Sequence, residues 1–166
     1  MCHSQRTDRH KVMIEIKRTW LASHIKHVVG EVWEHIADDS QIEEYAMWTP
    51  RVKEDSRWYA TMEDDDVVGI FWMRRVNAIT WEAHANVRPK YWGDKKGTEH
   101  CRLAIDHMIA DTGARKVVAL IPDSSPQVQK MAEAIGFVAE GKQTDSYLKN
   151  GKVYDQVHYG MTRKPT

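Results

Sequence analysis

Hydrophobic positions in the first third of the chain follow first a strand period and then a helix period. Residues 13–16 (Met-Ile-Glu-Ile) alternate as in a short strand. Between residues 21 and 37 the apolar side chains recur at helical spacing, which predicts an amphipathic helix. The sequence Ser-Gln-Ile-Glu at 40–43 fits a capping box and predicts a second, short helix that ends before Pro50.

The middle of the chain predicts three consecutive strands and then a change of pattern. The strands are predicted at 57–63, 67–76 and 79–87. Asp64-Asp65-Asp66 forms the first turn between them. A loop at 91–97, which contains two glycines and two lysines, then precedes a helix predicted at about 98–111.

The last third predicts a strand, a helix and a hairpin. The apolar run 116–121 is typical of a strand buried on both faces. The helix is expected to begin at Ser125 and Pro126, to end at Gly136, and to bury Val128, Met131, Ala132 and Ile135. Segments 137–147 and 153–162 predict a hairpin, because the Asn-Gly pair between them is a strong turn signal.

Together these elements predict a mixed α/β (α+β) fold with antiparallel strands on both sides of a strand–helix–strand–helix unit. The length of 166 residues suits a single domain. We expect this domain at 12–166, after a flexible tail at 1–11.

Composition excludes several protein classes. Lys plus Arg (24) balance Asp plus Glu (24), which argues against a nucleic-acid or anionic-membrane partner. No apolar run approaches the roughly 20 residues of a spanning helix, and the polar first residues lack a signal peptide's apolar stretch. Two cysteines are too few for a disulfide framework, so the expected location is the cytoplasm.

Charge is balanced overall but not locally. Residues 31–66 hold twelve acids and three bases, whereas residues 88–102 hold five bases and two acids. Each cluster alone is most simply a solvated surface. The difference matters only if the two regions border one cleft.

The strand at 79–87 carries a polar trio. Alternation places Glu82, His84 and Asn86 on one face. Burying such residues is costly unless they are hydrated or paired, so they predict a cleft. His84 is a candidate general base because histidine titrates near neutral pH. The alternative is that Glu82 and His84 satisfy each other in a polar patch.

The glycine-containing loop before the predicted helix is a candidate anion site. The first N–H groups of a helix point outward with the positive end of the helix dipole behind them, and Lys95 and Lys96 would add charge. The alternative is an ordinary turn.

Histidine and tryptophan are abundant. No pair among the nine histidines has a recognised ligand spacing, so we predict no metal site. Core packing explains most of the seven tryptophans. Trp48 and Trp58 are also candidates to line an acceptor pocket.

Three motifs resemble the GNAT superfamily of acyl-CoA-dependent N-acyltransferases, and most closely its RimJ/RimL-type branch, which acetylates ribosomal-protein N-termini. They are Tyr-Trp-Gly at 91–93 with Gly-Thr-Glu at 97–99, Ala-Ile-Gly-Phe-Val-Ala-Glu-Gly at 134–141, and Asn-Gly-Lys-Val-Tyr-Asp at 150–155. The resemblance implies a twisted mixed sheet that splays between its two middle strands. It also implies that acetyl-CoA, the acyl donor, sits in the splay, and it allows for a homodimer.

By position, the resemblance assigns the coenzyme's diphosphate to Trp92, Gly93, Asp94, Lys95, Lys96, Gly97 and Thr98. It assigns the pantetheine arm to Asn86 and Val87. Ser125 stands where the family has a coenzyme-contacting Asn, although Ser before Pro usually caps a helix. Family members often use a Glu near Glu82 as general base; the offset is one residue, which a strand bulge would absorb.

The chain departs from the family pattern at three positions. Lys95 replaces a Gly, and a left-handed backbone would be strained there. Val128 replaces a Ser near the sulfur, and Ala132 replaces the Tyr that protonates the leaving thiolate. Candidates for that proton are then Ser124, Ser125, Tyr147 and Tyr154.

These features predict an N-acetyltransferase that moves an acetyl or short acyl group from coenzyme A to a primary amine. Because the acidic region maps to the acceptor side, a cationic or neutral acceptor is expected: a peptide N-terminus, a lysine, a polyamine or an aminated metabolite. One alternative is a non-catalytic structural or partner-binding protein of the same fold. Another, a nucleobase-modifying acyltransferase, is opposed by the acidic stretch.

Overall fold

The computed structural model describes residues 13–93 and 95–164, and the predicted tail at 1–11 lies outside them. Its elements are β1 (Ile14–Thr19), α1 (Ala22–Ile36), β2 (Ser56–Glu63), β3 (Asp66–Arg75), β4 (Thr80–Val87), α2 (Lys95–Thr112), β5 (Lys116–Pro122), α3 (Pro126–Ile135), β6 (Val138–Lys149) and β7 (Lys152–Thr162). The predicted mixed fold is confirmed. No helix within the described ranges has the length and apolar character that crossing a membrane requires.

The strands form one sheet in the order β1-β2-β3-β4-β5-β7-β6. All neighbours are antiparallel except β4 and β5, which pair in parallel over only three residue pairs, the last being Glu82 with Val118. Beyond that pair the two strands diverge. We call the gap between them the splay.

Alternation along the strands sends side chains to two separate cores. Tyr59, Phe71 and Met73 are fully buried on the face that α2 covers. The other face packs Trp58 and Ile70 against α1, whose Ile25, Val28 and Val29 are almost inaccessible. Burial of each such aliphatic side chain stabilises the fold by about 1.5–3 kcal/mol, so both faces hold the sheet firmly.

The short helix predicted after Ser40 is wrong: residues 39–47 form successive turns. Ser40 donates its N–H (2.8 Å) and its hydroxyl (2.6 Å) to the Asp38 carboxylate, so its side chain does not cap a helix. The indole N–H of Trp33 donates to the carbonyl oxygens of Gln41 (3.2 Å) and Ile42 (3.3 Å). Contacts from α1 and Asp38 thus override the local signal.

Three further expectations need correction. The helix α2 begins at Lys95, three residues earlier than predicted. Ser125 starts α3 through its carbonyl, which accepts two backbone N–H groups, and its side chain makes no capping hydrogen bond. In β5 one face is open, with Leu120 exposed, because β4 has already diverged there.

The α3 stripe is also shallower than predicted. Only Ala132 is buried, Met131 and Ile135 are half-buried, and Val128 is 41% exposed. The predicted β6–β7 hairpin is confirmed. Asn150 and Gly151 both adopt the positive φ that its tight turn requires.

Candidate active site

The open edge of β4 supplies unpaired backbone groups to the splay. The Arg88 N–H donates to the Val68 carbonyl (3.0 Å). Because hydrogen-bonded pairs alternate along antiparallel strands, the backbone groups of the even-numbered residues of β4 face β3. The odd-numbered residues Ala83, Ala85 and Val87 therefore direct their N–H and C=O groups to the other edge, where the Val87 carbonyl accepts the Trp92 indole N–H. Beyond Glu82 no strand of the described chain occupies that edge.

The first turn of α2 lies beside this edge. The N–H groups in the first turn of a helix point outward along its axis, with the positive end of the helix dipole behind them. Gly97 is buried, and a Cβ there would stand 3.2 Å from the Tyr91 carbonyl oxygen and 3.6 Å from Val87 Cγ1. Glycine thus lets α2 pack closely on the end of β4.

Lys95 lies in this helical turn and not in a left-handed loop, so the strain considered for a lysine at this position does not arise. Lys96 forms an ion pair with Glu63 (3.1 Å), which also bonds to the buried His100 (3.0 Å). Trp92 donates its indole N–H to the Val87 carbonyl (2.7 Å). Asp94 lies outside the described residues.

Glu82 and His84 form a pair on the α1 face of β4. Glu82 Oε1 lies 2.6 Å from His84 Nε2, and Glu82 Oε2 accepts from Arg74 at 2.7 Å. The hydrogen bond from His84, followed by that from Arg74, lowers the pKa of Glu82 to about 2 although partial burial opposes this. The β3–β4 register is continuous, so no bulge moves Glu82 along the strand.

The remaining predicted residues of this region have structural partners. Asn86 is buried and donates its side-chain amide to the Ile70 carbonyl (3.2 Å). The Tyr147 hydroxyl donates to the Ile36 carbonyl at 3.3 Å. Asp155, a strand-end carboxylate, accepts the Asp145 N–H (2.9 Å) and pairs with a lysine of β6.

The acidic and basic stretches pair with each other. Their ion pairs are Glu31 with Arg88, Asp66 with Arg88, Asp66 with Lys90, and Glu63 with Lys96. The Asp39 carboxylate accepts hydrogen bonds from the backbone N–H groups of Asn150 and Gly151 in the β6–β7 turn. These ion pairs involve three of the twelve acids, so they reduce the expected contrast between a negative acceptor side and a positive coenzyme side without removing it.

Sequence reasoning missed Trp72 and Arg74 on β3. Trp72 stacks on His84 with ring centroids 4.6 Å apart, and Arg74 donates a hydrogen bond to the Glu82 carboxylate. Their place follows from the strand register, which sets Trp72 opposite His84 and Arg74 opposite Glu82. Counting back from the β3–β4 turn would have found both.

Solved structures with the same fold include two acetyltransferases. The fold resembles yncA, described as a putative acetyltransferase, from Salmonella typhimurium with acetyl-CoA (TM-score 0.71, 16% identity, 93% of this chain and 96% of that chain). It also resembles spermidine N-acetyltransferase from Vibrio cholerae with CoA and spermine (TM-score 0.69, 14% identity, 90% of this chain and 95% of that chain). At such identities the likeness shows the fold alone. A comparison with curated proteins finds no match.

The model of the acetyltransferase (GNAT) domain matches residues 7–138, which is most of the chain. The acyl donor of this family is acetyl-CoA, as the sequence motifs led us to expect. The chain therefore belongs to the GNAT acetyltransferases.

Proposed function

We propose that this protein is an acyl-CoA-dependent N-acetyltransferase that acts on a primary amine of a small molecule or a peptide. The observation that carries the proposal is the open edge of β4 beside the N-terminal turn of α2, with the Glu82–His84 pair at the same point of the sheet. A cytoplasmic location, a homodimer and the RimJ/RimL-type branch stay predictions from the sequence.

The donor's diphosphate would lie at the N-terminal turn of α2, where the positive end of the helix dipole favours an anion. Its pantetheine arm would pair with Ala83 and Ala85 in place of the Asn86 suggested by the sequence, since Asn86 bonds to β3. Ser125, across the splay, has a hydroxyl not used for capping. When bound, the donor supplies an activated thioester carbonyl.

His84 is the better candidate for the general base. A carboxylate with a pKa of about 2 holds a proton weakly, and both oxygens of Glu82 are engaged. His84 uses Nε2 toward Glu82, which leaves Nδ1 for the acceptor amine. Its side chain is 42% exposed, so an amine can reach it. We assign Glu82 as a positioning residue that orients the imidazole through the contact of its Oε1 with His84 Nε2.

Two variants test these roles by thiol release from acetyl-CoA with a panel of amines. We expect His84→Gln to lower kcat by about 10²–10⁴-fold, the usual contribution of a general base. Glu82→Gln should lower kcat less, because it removes the partner that orients the imidazole and leaves the base itself in place. Full activity of His84→Gln together with an inactive Glu82→Gln would instead make Glu82 the base.

The non-catalytic alternative rests on Ala132, which is buried where family members carry a proton-donating Tyr. Calorimetry with acetyl-CoA separates the two proposals. Binding at micromolar to millimolar donor with thiol release supports the transferase, and absent binding at millimolar donor rules it out.

A further inference from the structure

A pocket of about 330 Å³ lies next to the Glu82–His84 pair, on the α1 face of the sheet. Its lining includes Trp48, Trp58, Trp72, Arg51, Arg74 and Arg75. The volume is at the lower end of the range for small-molecule sites, about 300–1,000 Å³. The pocket can therefore hold a compact ligand but not an extended chain.

A stack of aromatic rings joins this pocket to the proposed base. Trp72 lies between Trp58, at 5.6 Å and 17° between ring planes, and His84, at 4.6 Å. The Trp72 indole N–H donates to Ser56 Oγ (2.7 Å), which fixes the ring. Only the Trp72 ring thus separates a ligand packed against Trp58 from the His84 imidazole, the proposed base.

Positive charge dominates the rim. Arg74 pairs with Glu82, but across residues 13–93 and 95–164 no carboxylate forms an ion pair with Arg51 or Arg75, and both are exposed. Asp55 is the one acidic residue that lines the pocket. Guanidinium groups over an apolar floor suit a carboxylate on a flat apolar body, since arginine binds carboxylates through two parallel N–H donors.

An aromatic pocket alone would also suit a cation. The three arginines decide against that reading, because a polyamine would bring two or more positive charges beside guanidinium groups already present. The acidic stretch does not offset them inside the pocket, since Asp55 is the only one of its twelve carboxylates that lines it.

We propose that the acceptor is an amine with a flat apolar body and a carboxylate, as in an aromatic α-amino acid, bound with its body on the tryptophans and its carboxylate on Arg51 and Arg75. The role as acceptor rests on the proposed function above. The binding itself does not, because it needs neither donor nor turnover.

Two ligands that differ only in the carboxylate test the proposal: L-phenylalanine and 2-phenylethylamine, with spermidine as the polyamine. Binding to the full chain without donor is followed by tryptophan fluorescence, since three of the seven tryptophans line the pocket, and by calorimetry. We expect phenylalanine to bind at least tenfold more tightly than the other two ligands.

Arginine variants locate the binding. Arg51→Gln and Arg75→Gln should each weaken phenylalanine about tenfold, the loss typical of one charged hydrogen bond, and should leave phenylethylamine unchanged. Arg115→Gln, outside the pocket, is the matched control and should change neither ligand. Thermal melts of all three variants check that they fold.

Equal or tighter binding of phenylethylamine or spermidine would overturn the proposal, as would no saturable response to any of the three ligands. Equal losses in Arg115→Gln would also overturn it. Failure to bind acetyl-CoA would remove the transferase activity and leave the fluorescence result standing, so the two failures are distinguishable.

Discussion

Replacing Glu82 with Gln should destabilise the protein at neutral pH and have progressively less effect as the pH falls. In the folded state Glu82 accepts hydrogen bonds from His84 and Arg74, and these lower its pKa from the ordinary 4.5 to about 2. A group with a lowered folded-state pKa stabilises the fold above its unfolded pKa. That stability disappears as the pH falls through the folded value.

The size of the effect follows from the same shift. One pKa unit is worth about 1.4 kcal/mol, so lowering the pKa of Glu82 corresponds to about 3 kcal/mol as an upper limit. The Arg74 side chain is 55% exposed, and solvent screening of this partner reduces the contribution. We therefore expect Glu82→Gln to lose about 1–2 kcal/mol of unfolding free energy at pH 7.

Urea unfolding between pH 2.5 and 7 measures the difference directly. The gap in unfolding free energy between wild type and Glu82→Gln should be constant above about pH 5 and should shrink below about pH 4.5. Glu43→Gln, an exposed acid outside any ion pair of the described chain, is the control and should show no such trend. A gap that stays constant down to pH 2.5 would refute the assigned pKa and the role of the two partners.

Three further predictions concern binding, packing and the hairpin. His84→Gln should bind acetyl-CoA with unchanged affinity by calorimetry while kcat falls; a parallel loss of donor affinity would place His84 in the donor site instead. Gly97→Ala should weaken acetyl-CoA binding severalfold, because the added Cβ stands 3.2 Å from the Tyr91 carbonyl oxygen, whereas Gly141→Ala meets no atom within 4 Å and should bind normally. Asp39→Ala should lower the unfolding free energy by about 1–3 kcal/mol, since two backbone N–H groups of the β6–β7 turn lose their acceptor; an unchanged urea midpoint would show that water replaces the carboxylate.

Local signals predicted the parts of the fold that local chemistry decides. The β6–β7 turn needs two residues with positive φ, and Asn150-Gly151 supplies them whatever surrounds the hairpin. The face shared by Glu82 and His84 follows from the period of two within β4. Both expectations depend on residues within one element.

Expectations that depended on distant partners failed. The capping box at Ser40 does not form, because the Ser40 hydroxyl donates to the Asp38 carboxylate and the Trp33 indole of α1 donates to the Gln41 carbonyl. The Arg74–Glu82 contact joins two strands, so neither residue reveals it alone. Sequence reasoning located the candidate base but not the side chains that set its protonation and its neighbours.

The charge clusters bear on the acceptor prediction through the ion pairs that join them. The long-range field of a run of like charges falls where counter-charges lie at contact distance, as they do for Glu31, Glu63 and Asp66, whose partners belong to the basic stretch. Beyond a Debye length of about 8 Å at physiological salt, such pairs present little net field. This pairing weakens the long-range attraction of a polycation. We expect discrimination between acceptors to come mainly from contacts inside the pocket, where the charges outside any ion pair of the described residues are Arg51, Arg75 and Asp55, two positive and one negative.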